Sequence, residues 1–101
     1  MATLYLPLKK EWYEMIESGV KTEEYREIKP YWDKRLMRDK WNFCTDSLCH
    51  IPQEFDAVKF SYGYTKRTMT FECKGITIGK GRMEWGAPDE DVFIIKLGKR
   101  I

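Results

Sequence analysis

The pattern of polar and apolar positions divides the chain into short segments of changing period. Thr3 to Leu8 alternates, with Leu4, Leu6 and Leu8 on one side, which predicts a strand. Pro7 has no N–H to give to a ladder and assigns that strand to a sheet edge or to a strand end. From Lys10 to Ser18 the period becomes helical: Trp12, Met15 and Ile16 share the inner face, while Lys10, Glu11, Glu14 and Glu17 point outward. Gly19 stands where a left-handed residue closes a helix. Alternation resumes at Thr22, placing Glu24 and Arg26 on one face of a charged strand and Glu23, Tyr25 and Glu27 on the other. In so short a chain, one of those faces meets the core. Lys29-Pro30 then restarts a helix that ends near Arg38, with Trp32 and Leu36 on one face and Tyr31 and Arg35 on the next.

Residues 39–54 show no period and read as a long connection, of the kind that often carries function. A strand series follows. Ala57 to Tyr62 sets Val58, Phe60 and Tyr62 on one face, Gly63 to Arg67 turns, and Thr68 to Lys74 alternates Met69, Phe71 and Cys73 against polar neighbours. Gly75 marks a bulge before Ile76 and Ile78. Gly79-Lys80-Gly81 predicts a tight basic turn, Trp85 to Pro88 a loop, and Val92 to Leu97 an apolar closing strand bounded by Gly98. This order predicts an α+β chain, one domain over residues 1–101. The architecture is a partly closed barrel of about five to six mostly antiparallel strands with two flanking helices.

Composition changes this picture in three places. Aromatic residues make up 15% of the chain, more than a core this size requires, so some rings are expected at a ligand surface. A net charge of +2 is too weak a field for sequence-specific duplex DNA binding. The surplus of basic residues lies beyond residue 55, in Lys66, Arg67, Lys80, Arg82, Lys96, Lys99 and Arg100, which makes that half the expected phosphate-facing side. The odd number of cysteines fits a reducing cytosol. With no signal peptide and no apolar run long enough to span a bilayer, the chain reads as soluble, cytoplasmic and without a membrane partner. Cys44, Cys49 and His50 invite a zinc reading, but a fourth ligand is missing and the spacing matches no specific ligand pair. Ordinary loop cysteines are the other reading; no metal and no cofactor are expected.

The densest chemistry is Gly19 to Arg26. Charge on a core-facing strand is costly unless paired, so Glu24 and Arg26 read as partners in an inward polar cluster that Lys21, at the preceding turn, can join. The alternative is a solvated face on which these charges pair for little gain.

The spacing Gly19-x-Lys21-x-x-Glu24-x-Arg26 after a helix resembles the G-x-K-x-x-[EDT]-x-R motif of the ASCH family, which is related to PUA domains. Trp12 to Ile16, Glu24 to Trp32, Phe60 to Tyr64, Gly75-Ile76, Trp85-Gly86 and Leu97 to Lys99 resemble a small single-domain branch of that family in bacteria and phages. The resemblance implies a PUA-like barrel with a motif-lined cleft between the barrel and the first helix, and an RNA or nucleotide-like partner bound there. It carries over Gly19, Lys21, Thr22, Glu24 and Arg26 as binding residues. Lys21 and Arg26 supply the cationic part, and Glu24 orients them or accepts from a base or ribose. Among the aromatic candidates Tyr25, Tyr31, Trp32, Tyr64 and Trp85, the glycine-flanked Tyr64 and Trp85 are the expected stacking contacts.

Some relatives in the family are hydrolases of N4-acylated cytidines or of RNA. The alternative expectation is therefore a hydrolase with Lys21 and Glu24 as acid–base groups. The amidohydrolase branch has a threonine nucleophile where this chain has Glu24, and a carboxylate cannot form the same acyl intermediate.

Overall fold

Leu4, Leu6 and Leu8 do turn one side of a strand inward. In the computed structural model, which describes residues 2–36 and 54–101, that strand is β1 (Thr3–Leu8). It is followed by helix α1 (Lys10–Glu17), strand β2 (Glu23–Glu27), helix α2 (Pro30–Leu36), and strands β3 (Ala57–Tyr62), β4 (Thr68–Lys80) and β5 (Asp91–Arg100). A single 3-10 turn, Met83–Trp85, lies between β4 and β5. The expected long connection up to residue 53, with Cys44, Cys49 and His50, and the expected helix end at Arg38 fall outside the described residues. Among the described residues, no helix is long and apolar enough to cross a membrane.

The five strands form one curled, mixed sheet in the order β1-β3-β4-β5-β2, a half-barrel with the two helices packed on it. Three of the strand pairs are antiparallel; β1 runs parallel to β3, with Leu6 opposite Phe60. β1 and β2 end the strand order, which is where Pro7 costs no ladder bond. Phe60, Val58, Phe93 and Ile95 are fully buried inside the curl beneath Tyr13 and Ile16 of α1 and Leu36 of α2. Burying each large apolar side chain stabilises the fold by about 1.5–3 kcal/mol.

Four local expectations are corrected. Helix α1 is rolled by one position: Tyr13, not Trp12, enters the core, where its ring meets that of Tyr62 edge-on at 5.2 Å. β4 runs on to Lys80 opposite Asp91, so Gly79-Lys80-Gly81 is a strand end and not a tight turn. β5 passes through Gly98 to Arg100. Finally, β2 carries one buried residue on each face, Glu24 on one and Tyr25 on the other, and β5 beside it is buried on both faces. Val92 and Ile94 alternate with Phe93 and Ile95, and form a second, smaller core with Tyr25 and Ala87. The bulge at Gly75 is where it was expected: the β4–β5 register shifts on either side of Cys73, and Gly75 has φ 133°.

Candidate functional site

The end of α1 delivers Lys21 inward. Ser18 N–H bonds the Glu14 carbonyl at 3.0 Å, Gly19 takes φ 86°, and Lys21 N–H returns to the Met15 carbonyl at 3.0 Å. This closes the chain into a tight reversal, which a side chain at residue 19 would strain. Pairing with β5 then begins, as Leu97 N–H donates to the Thr22 carbonyl. Glu24 stands opposite Ile95 and Arg26 opposite Phe93, so both side chains rise from the inner face of the half-barrel.

There the three charges meet. Lys21 Nζ lies 2.9 Å from Glu24 Oε1 and also donates to the Trp85 carbonyl. Its ammonium sits 4.6 Å from the centre of the Trp12 ring and 5.3 Å from that of Tyr25, within cation–π range. The other carboxylate oxygen, Oε2, accepts from Arg26 Nη1. Arg26 also donates to the carbonyls of Tyr25, at 2.8 Å, and Pro7, at 3.1 Å, and its guanidinium stacks 5.2 Å from Trp32. Lys21 is 2% exposed and Glu24 4%, which excludes the solvated-face alternative. Among the described residues, no buried side-chain N or O lacks a hydrogen-bond partner. Such a row of plus, minus, plus is tolerated away from water only because every member is paired.

Above the row opens a cleft of about 500 Å³, within the size range of small-molecule sites. Its walls include the rings of Trp12, Tyr25, Trp32 and Trp85. Trp12 lies close against Gly86: a Cβ at that glycine, which has φ 98°, would sit 2.9 Å from the indole. Trp85 is held by the 3-10 turn, with the Arg82 guanidinium 4.8 Å from its ring. That turn is tied to β2 by Tyr25, whose hydroxyl donates to Glu23 at 2.8 Å and accepts from the Arg82 N–H at 3.1 Å. Burial pushes the Tyr25 phenol up from 10.0 to about 12, with the Arg82 N–H opposing and Glu23 adding to the rise. Gly81 passes so close that a Cβ there would meet the Tyr25 ring at 2.5 Å.

Arg26 is the member of the row that faces outward, with its side chain 16% exposed. Its three bonds to Glu24, Tyr25 and Pro7 leave guanidinium donors for a guest. A planar molecule carrying anionic or carbonyl oxygens fits that chemistry: rings for its faces, a guanidinium fork for its edge.

Of the residues expected from the sequence, Lys21, Glu24, Arg26 and Trp85 come together around the cleft. Gly19 and Thr22 shape the backbone beneath it without lining it. Tyr64 is 96% exposed and lines a neighbouring groove, apart from Trp85. Trp12, expected in the core, is a cleft wall; its adjacency to a glycine in space was invisible in the sequence. The basic residues named beyond residue 55 are not among the described residues that line the cleft. Among the described residues, the cations lining the cleft are Lys9, Lys21 and Arg26, while Arg67 pairs with Glu17 and Lys80 with Asp89 elsewhere. Comparison of the chain with protein-family profiles, with characterised proteins and with solved structures finds no match.

Proposed function

We propose that the chain is a small ASCH-type, PUA-like domain that binds RNA, a nucleotide or a modified nucleoside in this cleft. The observation that carries the proposal is the Lys21–Glu24–Arg26 row, buried at Lys21 and Glu24 and open at Arg26, at the floor of an aromatic-walled hollow. A base slots among the indole faces, and Arg26 grips a phosphate or a base carbonyl. Glu24 fixes the plane of the Arg26 guanidinium, and Lys21, closed off by Glu24 and the Trp85 carbonyl, braces Glu24 from the far side. Lys21 is thus a positioning residue and Arg26 the contact.

Calorimetric titration of the protein with nucleoside monophosphates and short RNAs tests this, beside Arg26→Lys and Trp85→Ala. Arg26→Lys keeps the charge and removes the planar fork, so affinity falls about tenfold, the cost of one charge-assisted bond, while the fold survives. Parent-like binding by both variants, or no binding by the parent, would overturn the proposal. Incubation with N4-acylcytidines and RNA in the same series addresses hydrolysis: turnover above that of Glu24→Gln reassigns the cleft to an enzyme.

A further inference from the structure

The cleft does not stop at Arg26. A second groove of about 530 Å³ shares Pro7, Arg26 and Trp32 with it and continues between β1 and α2. Among the described residues that line it none is acidic, and the charged ones are Arg26, Lys34 and Arg35. Three tyrosines stand along it with their rings in water: Tyr5 is 68% exposed, Tyr31 54% and Tyr64 96%. Tyr31 is propped edge-on against Trp32 at 4.8 Å, and the Arg35 guanidinium lies 4.4 Å from its ring. Exposed rings gathered on a concave surface with basic residues beside them are poorly explained by packing, since they bury little of their own area.

We propose that this groove holds the flanking nucleotides of a single-stranded polynucleotide, one residue of which occupies the cleft. This rests on the cleft reading above. Charge complementarity calls for a polyanion, and the upright rings call for a guest with free aromatic faces. A single strand offers both at every residue, whereas the bases of a duplex are already stacked and paired. Arg26 sits on the ridge shared by the two hollows, where a phosphate linking the cleft nucleotide to its neighbour lies. Lys34 lines the groove as a second phosphate contact, and Tyr31 and Tyr64 offer faces to flanking bases. The stacking residues are sequence-tolerant, so the groove supplies affinity and strand polarity more than sequence choice.

Fluorescence anisotropy with labelled RNA and DNA strands of about two to eight nucleotides tests this, with a nucleoside monophosphate as the short reference. Tyr64→Ala and Lys34→Ala are surface changes whose folding is checked by circular dichroism. Affinity is expected to rise with strand length. Tyr64→Ala lowers oligomer affinity about fivefold or more. Lys34→Ala reduces the slope of log affinity against log salt by about 0.7. Neither variant alters monophosphate affinity. Tighter binding of RNA or of DNA identifies the sugar, and either result supports the groove.

The proposal is overturned if oligomers bind no tighter than the monophosphate, if both variants bind oligomers as the parent does, or if inorganic polyphosphate or a duplex competes equally well. Monophosphate binding without any gain from length removes the groove and leaves the cleft standing. Binding of neither ligand removes both.

Discussion

Lys21, Glu24 and Arg26 are one object energetically, because each is tolerable in its position only through its neighbour. Lys21→Ala leaves Glu24 without one of its two cations in a site that is almost dry, and is expected to destabilise the fold by about 3–5 kcal/mol. Urea unfolding measures this. The informative comparison is Lys21→Met combined with Glu24→Gln: removing both charges of the buried contact restores much of what Lys21→Met alone loses. Additive losses in that double-mutant cycle would show the pair to be uncoupled. The convergence was legible in the sequence for a local reason. A strand's two-residue alternation fixes Glu24 and Arg26 on one face whatever the rest of the chain does, and Gly19 sets the reversal that brings Lys21 over them. Tyr64 and Trp85 carry the same local signal, an aromatic ring beside glycine, yet only Trp85 reaches the cleft. Nothing within a few residues of either distinguishes them; their positions depend on where β3, β4 and β5 are paired.

Among the elements, the 3-10 turn Met83–Trp85 does most to shape the cleft, because it offers a backbone carbonyl to Lys21 and ends on the glycine that seats Trp12. Gly86→Ala meets two penalties together, a side chain at φ 98° and a methyl pressed into the Trp12 indole. The expected loss is about 1–3 kcal/mol from overpacking alone, with the indole displaced into the cleft. A shift in tryptophan emission together with weakened ligand binding reports it; unchanged emission and affinity would place Trp12 elsewhere. Helix α1 illustrates why such walls escape sequence reasoning. Trp12 and Tyr13 are adjacent and both large, so the apolar stripe can be drawn through either with Ile16. The choice falls to Tyr62, at the end of β3, whose ring meets that of Tyr13 edge-on. The run of β5 from Val92 to Leu97 is apolar in sequence, but that both of its faces are covered appears only once β2 is laid beside it.

At the scale of the whole molecule, Tyr25 links the second core to the pH of the medium. Its phenol is held neutral in the fold, with a pKa raised to about 12 against 10.0 for the free group. Below pH 10 folded and unfolded chains both keep the proton and the contribution is intact. Between pH 10 and 12 the unfolded chain binds fewer protons than the folded one, so stability falls as pH rises through that window. Tyr25→Phe starts from a lower stability, since the Arg82 N–H loses its acceptor, but its alkaline decline is shallower. Thermal unfolding of both proteins from neutral pH to pH 12 measures the difference, and parallel declines would exclude Tyr25 as the source.

The half-barrel itself was foreseeable as a class from the succession of strand and helix periods. The parallel partnership of β1 with β3 was not, because its register is fixed by contacts across some fifty residues of chain and by no local turn. That partnership also bears on how the protein is made. As the chain leaves the ribosome, the segment bearing the future pocket emerges early but finds none of its sheet partners: β1 must wait for residues 57–62, and β2 for residues 91–100. Until β5 is made, β2 has no strand to pair with, so a translation product halted near residue 90 is expected to leave the charged row unassembled and to be unable to bind.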